Sequence, residues 1–228
     1  KPLMAEKIGK ARGGRKEGMH YSYPNGYITS CRGHLYCLQD PEDYREEWKT
    51  WTIEHLPIMP EQMKIKQNKD KGTGPRIGAI KKLMWQATEV VNAGDPGREG
   101  QAIVDELLEE AGWIGQTKRI MLYDLNPDPI KKAYSELEDN NKYKPLYDSA
   151  RARAHADWLV GMNFSRLWTK KVEAAGGYGT FHVGRVQSPT LKLVVDRDRE
   201  IENFTPTTHF IPYIELTHKD GNFIAKWL

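Results

Sequence analysis

Hydrophobic and polar positions change period several times along the chain. Leu3, Met4, Ile8 and Ala11 recur at helical spacing and Gly13-Gly14 closes that pattern, which predicts a helix over residues 1–13. Residues 20–31 alternate loosely around Asn25-Gly26, a hairpin signal, and predict two short strands. Residues 38–60, rich in Pro, Asp, Glu and Trp, have no period and predict an irregular excursion. A strand at about 61–66 and a Gly/Lys loop over 67–75 follow. Ile77, Ile80, Met84 and Ala87 predict a helix over 76–88. The apolar run 89–94 predicts a strand, and Ile103, Val104, Leu107, Leu108 and Ala111 give an apolar face to a helix over 98–112. A second apolar strand is predicted over 119–125, with Asp128 capping a helix over 129–138.

Residues 1–140 therefore alternate strand and helix, the signature of an α/β fold with a mostly parallel sheet and helices on both faces. The pattern changes near Lys144-Pro145. One long helix is predicted over 147–172 and a second from about 184 to 200, ended by Thr205-Pro206. Alternating strands follow over 208–217 and 222–228. No internal repeat or low-complexity tract interrupts this order.

The segment with the most chemistry is Val90-Val91-Asn92-Ala93-Gly94-Asp95-Pro96-Gly97-Arg98-Glu99-Gly100-Gln101. It reads as a strand, a loop at its carboxyl end and a helix start, the edge where open α/β sheets place ligands. Asp95 and Glu99 flank Arg98, with glycines at 94, 97 and 100. Carboxylates are hard ligands suited to Mg²⁺, which typically takes one or two of them beside waters and phosphate oxygens. Acidic residues at a helix start also favour the helix dipole with no ligand at all. Gly9-Lys10-Ala11-Arg12-Gly13-Gly14-Arg15 imitates a phosphate loop, but Arg15 stands where Lys then Ser/Thr belong and no strand precedes it, so ATP is not implied.

The chain has 228 residues, 39% hydrophobic and 29% charged, and can bury a core. No run approaches the ~20 apolar residues that span a bilayer, so no membrane partner is expected. No secretory signal is visible, although the sequence opens on Lys1 rather than Met. Cys31 and Cys37 lack a metal-binding pattern and are expected to be reduced, unpaired thiols of a cytoplasmic protein. The net charge of +3 argues little, but cations cluster at Lys64, Lys66, Lys69, Lys71, Arg76, Lys81 and Lys82, and again at Arg151, Arg153, Arg166, Lys170 and Lys171. Such clusters either track a phosphate backbone or form a solvated face.

Several separated segments resemble one family in collinear order across essentially the whole chain. They are Lys1-Pro2, Gly33-His34-Leu35, Trp51 through Pro60, Ala93 through Gln101, Asp124-Leu125-Asn126-Pro127, Ala154 through Asn163, and Val183 through Leu191. The chain resembles the N-terminal part of type IA DNA topoisomerases, most closely the bacterial topoisomerase III branch with its plasmid-borne forms. The resemblance implies a Rossmann-like Toprim domain over 1–146, a helical domain for single-stranded DNA over 147–205, and the beginning of a β-rich gate domain over 206–228. It implies strand breakage and rejoining through a tyrosine, without ATP, with Mg²⁺ held by Toprim acids.

The family's acids follow D-x-D-x-E. Asp95 matches the first and Glu99 the last, while Gly97 stands at the middle position. By the same resemblance Lys1 is a catalytic lysine whose companion glutamate would precede it, and the tyrosine would lie beyond Leu228 in the remaining domains of the polypeptide. The chain alone is then an inactive fragment. Arg153, Asp157, Arg185, Gln187 and Ser188 are implied to line the single-strand groove, with His34 and Arg98 as neighbours of the active site. Two other readings stay open. One is a degenerate Toprim protein that grips single-stranded DNA without catalysis. The other is a different Toprim enzyme such as a nuclease or primase, against which Gly184 through Leu191 argues. Trp158 and Trp168 offer base stacking, but their apolar helical setting favours core packing, and Trp48 and Trp51 read as structural.

Overall fold

A computed structural model describes residues 2–227. The chain divides into two compact units, with the boundary after Arg185. In the first unit, α1 (Pro2–Ala11) turns Met4, Ala5 and Ile8 inward. Proline at its first turn costs no hydrogen bond, and Gly13, at φ +69°, lets the chain leave the helix. β1 (Arg15–Glu17), β2 (His20–Tyr23) and β3 (Gly26–Thr29) form an antiparallel meander. Tyr23 pairs with Gly26 across the β2–β3 hairpin, so its turn is Pro24-Asn25 rather than the expected Asn25-Gly26.

β4 (Tyr36–Leu38) and β5 (Ile65–Gln67) pair antiparallel and close the base of the 39–64 excursion. That excursion is more ordered than its sequence suggests. It contains α2 (Pro41–Tyr44) and a 3₁₀ turn (Glu46–Lys49), and is anchored by buried Trp48 and Ile58. Lys66 ties α2 to β5 through ion pairs with Asp40 and Asp43. α3 (Thr73–Met84) starts and ends earlier than its apolar spacing predicts, leaving Trp85 81% exposed.

β6 (Glu89–Asn92), α4 (Arg98–Glu110) and α5 (Pro127–Ser135) stand close to their predicted places; β7 does not. The apolar run after residue 119 imitates a strand, yet β7 is the polar Gln116–Arg119, parallel to β6. Ile120 and Leu122 instead leave the strand and enter the core. α5 is capped at Asn126, not Asp128, because Asp124 folds back to accept from the Asn126 amide at 2.9 Å. β8 (Glu138–Asp139) adds antiparallel to β7. The expectation of a mostly parallel sheet is corrected: among the described residues β6–β7 is the one parallel pair, and the strands fall into short separate sheets. The class is α/β as expected.

β6 explains the layering. Val91 packs into a cluster with Met4, Ile8, Ile28, Ile120 and Ile130, while Val90 packs into another with Leu35, Ile80, Met84 and Leu107. The period of two in a strand sends the two valines to opposite faces. A cavity of about 570 Å³ lies between β3 and β6.

α6 (Lys144–Ala174) runs 31 residues, ~46 Å at 1.5 Å per residue, and packs against α4. Its Trp158 is buried and donates to the Gln39 carbonyl at 2.9 Å, which makes it a core residue. The second unit holds α7 (Gln187–Glu202) and the hairpin β9 (Tyr213–His218) with β10 (Gly221–Lys226). No described helix is long and apolar enough to cross a membrane.

Asn163 of α6 grips the excursion by both backbone groups of Ile58: its Oδ1 accepts from the Ile58 amide at 2.6 Å, and its Nδ2 donates to the Ile58 carbonyl at 3.0 Å. Replacing it leaves both groups unpaired in a buried setting, at roughly 1–3 kcal/mol each. Asn163→Ala is expected to lower stability by about 2–4 kcal/mol in urea unfolding, with hydrogen exchange accelerating first over residues 50–60.

Candidate active site

The loop between β6 and α4 is shaped by close backbone contact. A Cβ on Gly94 would stand 2.2 Å from the Gly100 carbonyl oxygen, and one on Gly100 2.3 Å from the Asp95 carbonyl oxygen. Side chains cannot enter there, so these two glycines let the loop close on the helix start. Gly97 is different. It is the N-cap of α4, its φ of −149° is ordinary extended backbone, and a Cβ there meets open space.

Beneath the loop lies a buried polar network. The Arg119 guanidinium donates to the carbonyls of Asn92 (3.0 Å), Gly94 (2.9 Å), Asp95 (2.8 Å) and Ile120 (3.0 Å). Burial pushes its pKa down. Asn92 Nδ2 reaches Asp105 and Asn140, and Gln101 Nε2 donates to both of those side chains as well. Asn92, Gln101 and Arg119 are at most 1% exposed. The sequence reading missed this set. Its one visible signal is a polar Asn92 directly after Val90-Val91, inside an apolar run.

Above the loop the charges form a row. Glu99 stands 3.6 Å from His34, 3.9 Å from Arg98 and 3.8 Å from Arg153. Arg153 reaches Asp157 one turn along α6 at 3.5 Å, and Asp157 accepts from Arg185 Nε at 2.8 Å. His34 follows Arg32 and Gly33, both at positive φ, and its other nitrogen faces Glu106 at 3.6 Å. The Glu106 carboxylate, then Glu99, hold its pKa above the ordinary value, against the opposing effect of burial.

Other cations of the two clusters have structural partners. Arg76 donates to the Met19 and Ser30 carbonyls, Arg166 to the Trp48 carbonyl, and Lys81 to the Glu110 carbonyl. Burial raises the Cys31 thiol to about 11, and both cysteines are free.

The Toprim domain sequence model matches residues 4–125, more than half of the chain. The chain belongs to the Toprim family. A second model, for DNA topoisomerase, matches residues 141–227. Curated relatives are on the DNA topoisomerase 3 branch. The protein of that name from Pasteurella multocida is 42% identical over 200 residues, covering 86% of this chain and 30% of the relative. The one from Vibrio cholerae is 40% identical over 238 residues, covering 100% of this chain and 36% of the relative. The full-length topoisomerase I of Thermotoga maritima shares the fold at a TM-score of 0.59 and 24% identity, over 91% of this chain and 30% of that one. The chain thus spans about a third of the length of these relatives.

Within this Toprim chain, His34, Arg98, Glu99, Arg153, Asp157 and Arg185 stand in one row. Asp95 sits in the loop at its foot, its carbonyl fixed by Arg119. Gln187 and Ser188 open α7 in the second unit. Lys1 lies outside the described residues. Among the described residues no three His, Cys, Asp or Glu side chains are grouped to hold a metal. Asp95 and Glu99 fit Mg²⁺ as two hard donors, with waters and phosphate oxygens completing the shell.

Two measurements test this geometry. Gly94→Ala and Gly100→Ala force backbone against backbone and are expected to cost about 1–3 kcal/mol or more in thermal unfolding, whereas Gly97→Asp stays within about 0.5 kcal/mol. For His34, a raised pKa means its contacts with Glu106 and Glu99 contribute fully below pH 6.5 and fade as pH rises through the folded-state value. Its NMR titration midpoint is expected above 6.5, and Glu106→Gln is expected to lower it more than Glu99→Gln.

Proposed function

We propose that this chain is the metal- and strand-binding part of an ATP-independent type IA DNA topoisomerase, an enzyme that breaks one DNA strand through a tyrosine and rejoins it. The observation that carries this reading is the row of charges from Glu99 through Arg153 and Asp157 to Arg185, standing over a loop that offers Asp95. In this reading residues 1–146 form the Toprim domain, 147–205 the part that holds single-stranded DNA, and 206–228 the start of a β-rich gate. The tyrosine belongs to the remaining domains, and the setting is the bacterial cytoplasm.

Asp95 and Glu99 would hold Mg²⁺, which supplies charge neutralisation at a phosphate. The chain's own residues do the rest. Arg153 and Arg185 take backbone phosphates by exchanging Asp157 for the ligand. These side chains are 38–44% exposed, and surface ion pairs of that kind are worth roughly 0–1 kcal/mol, so the exchange is easy. Gln187 and Ser188, at the amino end of α7, offer donors where helix amides favour anions. Gly97 removes one acid from the family pattern, so metal affinity is weaker than with three carboxylates.

A second reading, a Toprim protein that grips single-stranded DNA without catalysis, is favoured by the lack of a three-ligand metal group among the described residues. The two separate by metal titration. In the first, calorimetry of the longer natural polypeptide gives Mg²⁺ binding that tightens in Gly97→Asp; in the second, no Mg²⁺ uptake is seen in either. Equal affinities of the two proteins would remove the role assigned to Gly97.

For the 228-residue chain, fluorescence anisotropy with labelled oligo-dT is expected to give affinity that falls steeply with salt. Arg153→Ala and Arg185→Ala are each expected to weaken binding by about tenfold and reduce the salt slope by about 1. Salt-independent binding, or preference for duplex, would contradict the groove assignment.

A further inference from the structure

A second cavity, of about 440 Å³, opens where the end of α1 meets the β2–β3 hairpin and α5. None of the charged residues of the row lines it. Its leading feature is Arg12, in the segment that imitates a phosphate loop. The Arg12 guanidinium carbon stands 5.0 Å from the centre of the Tyr23 ring and 4.5 Å from that of Tyr134. Two aromatic rings hold the cation by its face and leave its N–H edge to hydrogen bond. Arg76, Arg119 and Arg166 use their donors on backbone carbonyls. Among the described residues the Arg12 guanidinium has no such acceptor and no ion pair. No carboxylate lines the cavity. Lys131 adds a second cation, held only by a 3.5 Å pair with Asp128, whose side chain is 92% exposed. Gly26 makes room for Tyr23, since a Cβ there would stand 2.8 Å from the Tyr23 hydroxyl. Burial, then the neighbouring Tyr23 phenol, holds the Tyr134 pKa above its ordinary value, so that hydroxyl keeps its proton. Ala11, Pro24 and Ile130 supply an apolar wall.

We propose that this cavity binds a nucleoside monophosphate, either free or as the phosphorylated end of a strand. The phosphate takes the Arg12 edge through two parallel hydrogen bonds, the arrangement a planar guanidinium favours. Lys131 adds a mobile point charge beside it. The nucleoside body covers the apolar wall, and the Asn25 amide, which both donates and accepts, meets the polar edge of the base. A volume of about 440 Å³ lies within the ~300–1,000 Å³ of small-molecule sites. An inorganic anion would engage the two cations but leave that wall uncovered. The cavity sits at the start of β3, whereas His34 and the row lie beyond that strand's other end. The inference therefore goes beyond the proposed function and holds whether or not the row takes DNA.

Calorimetric titration of the chain with dTMP, thymidine and inorganic phosphate tests this. The nucleotide is expected to bind at least about tenfold more tightly than either part alone. Arg12→Gln is expected to weaken dTMP binding by about tenfold or more, and Arg12→Lys by less, because the charge stays while the fork is lost. Lys132→Gln, on an exposed α5 side chain outside the cavity, and Arg153→Ala, in the row, are expected to leave dTMP binding unchanged. Circular dichroism of each variant checks that it is folded. Displacement of dTMP by a short 5′-phosphorylated oligo-dT, but not by its hydroxyl-ended counterpart, supports the site with a strand end as its ligand. Failure of both to displace it supports the site with the free nucleotide as its ligand. Absence of dTMP binding overturns the proposal, as does equal affinity for dTMP and inorganic phosphate. Binding that survives Arg12→Gln, or that is lost in Arg153→Ala, also overturns it, because the nucleotide then sits elsewhere.

Discussion

One buried guanidinium sets the conditions for the rest of the first unit. Arg119 satisfies four backbone carbonyls, two of them in the turn that carries Asp95 and a third at the end of β6. A tight loop at a strand end exposes carbonyls with no helix or ladder to receive them, and each costs free energy if left dry. A single planar cation answers several at once, and its fixed donor geometry allows few loop shapes. Asn92, Gln101, Asp105 and Asn140 add a polar floor that joins β6, α4 and the start of the chain's second half. The Asp95 turn is therefore held from below by polar chemistry rather than by apolar packing.

The same helix start is shared upward. α4 carries Gln101 and Asp105 to the buried floor and Glu99 and Glu106 to His34. Because α4 packs along α6, the acid at residue 99 meets Arg153, and regular helical spacing brings Asp157 next to it. Gly94 and Gly100 make this possible by allowing backbone contact that no side chain permits. Gly97 has no such structural duty, so its effect is chemical: it sets how many acids the loop offers.

The helices were legible in the sequence because period 3.6 marks one buried face, and α1, α4, α6 and α7 lie close to their predicted spans. The strands were less so. β4, β5 and β7 are three or four residues long, too short for alternation to register, and the apolar residues beside β7 drew the prediction away from it. The charged side chains of the row were individually visible. What sequence hid was their connection through α4 and α6, and the buried network below, since polar residues such as Gln101 and Asp105 ordinarily signal a solvated face. Arg76 and Arg166 show the converse error, because both look like surface cations and both are buried on backbone carbonyls.

Asp157 sits between two arginines, and Glu99 stands at the far side of one of them. Arg153 and Arg185 thus face two carboxylates, Glu99 and Asp157, so this stretch of the row is close to neutral. The carboxylates therefore mask these two cations at close range. On the proposed reading, a phosphate backbone gains Arg153 and Arg185 by displacing the carboxylate they share. In that proposal the protein masks itself: Asp157 competes with the ligand for the same two cations.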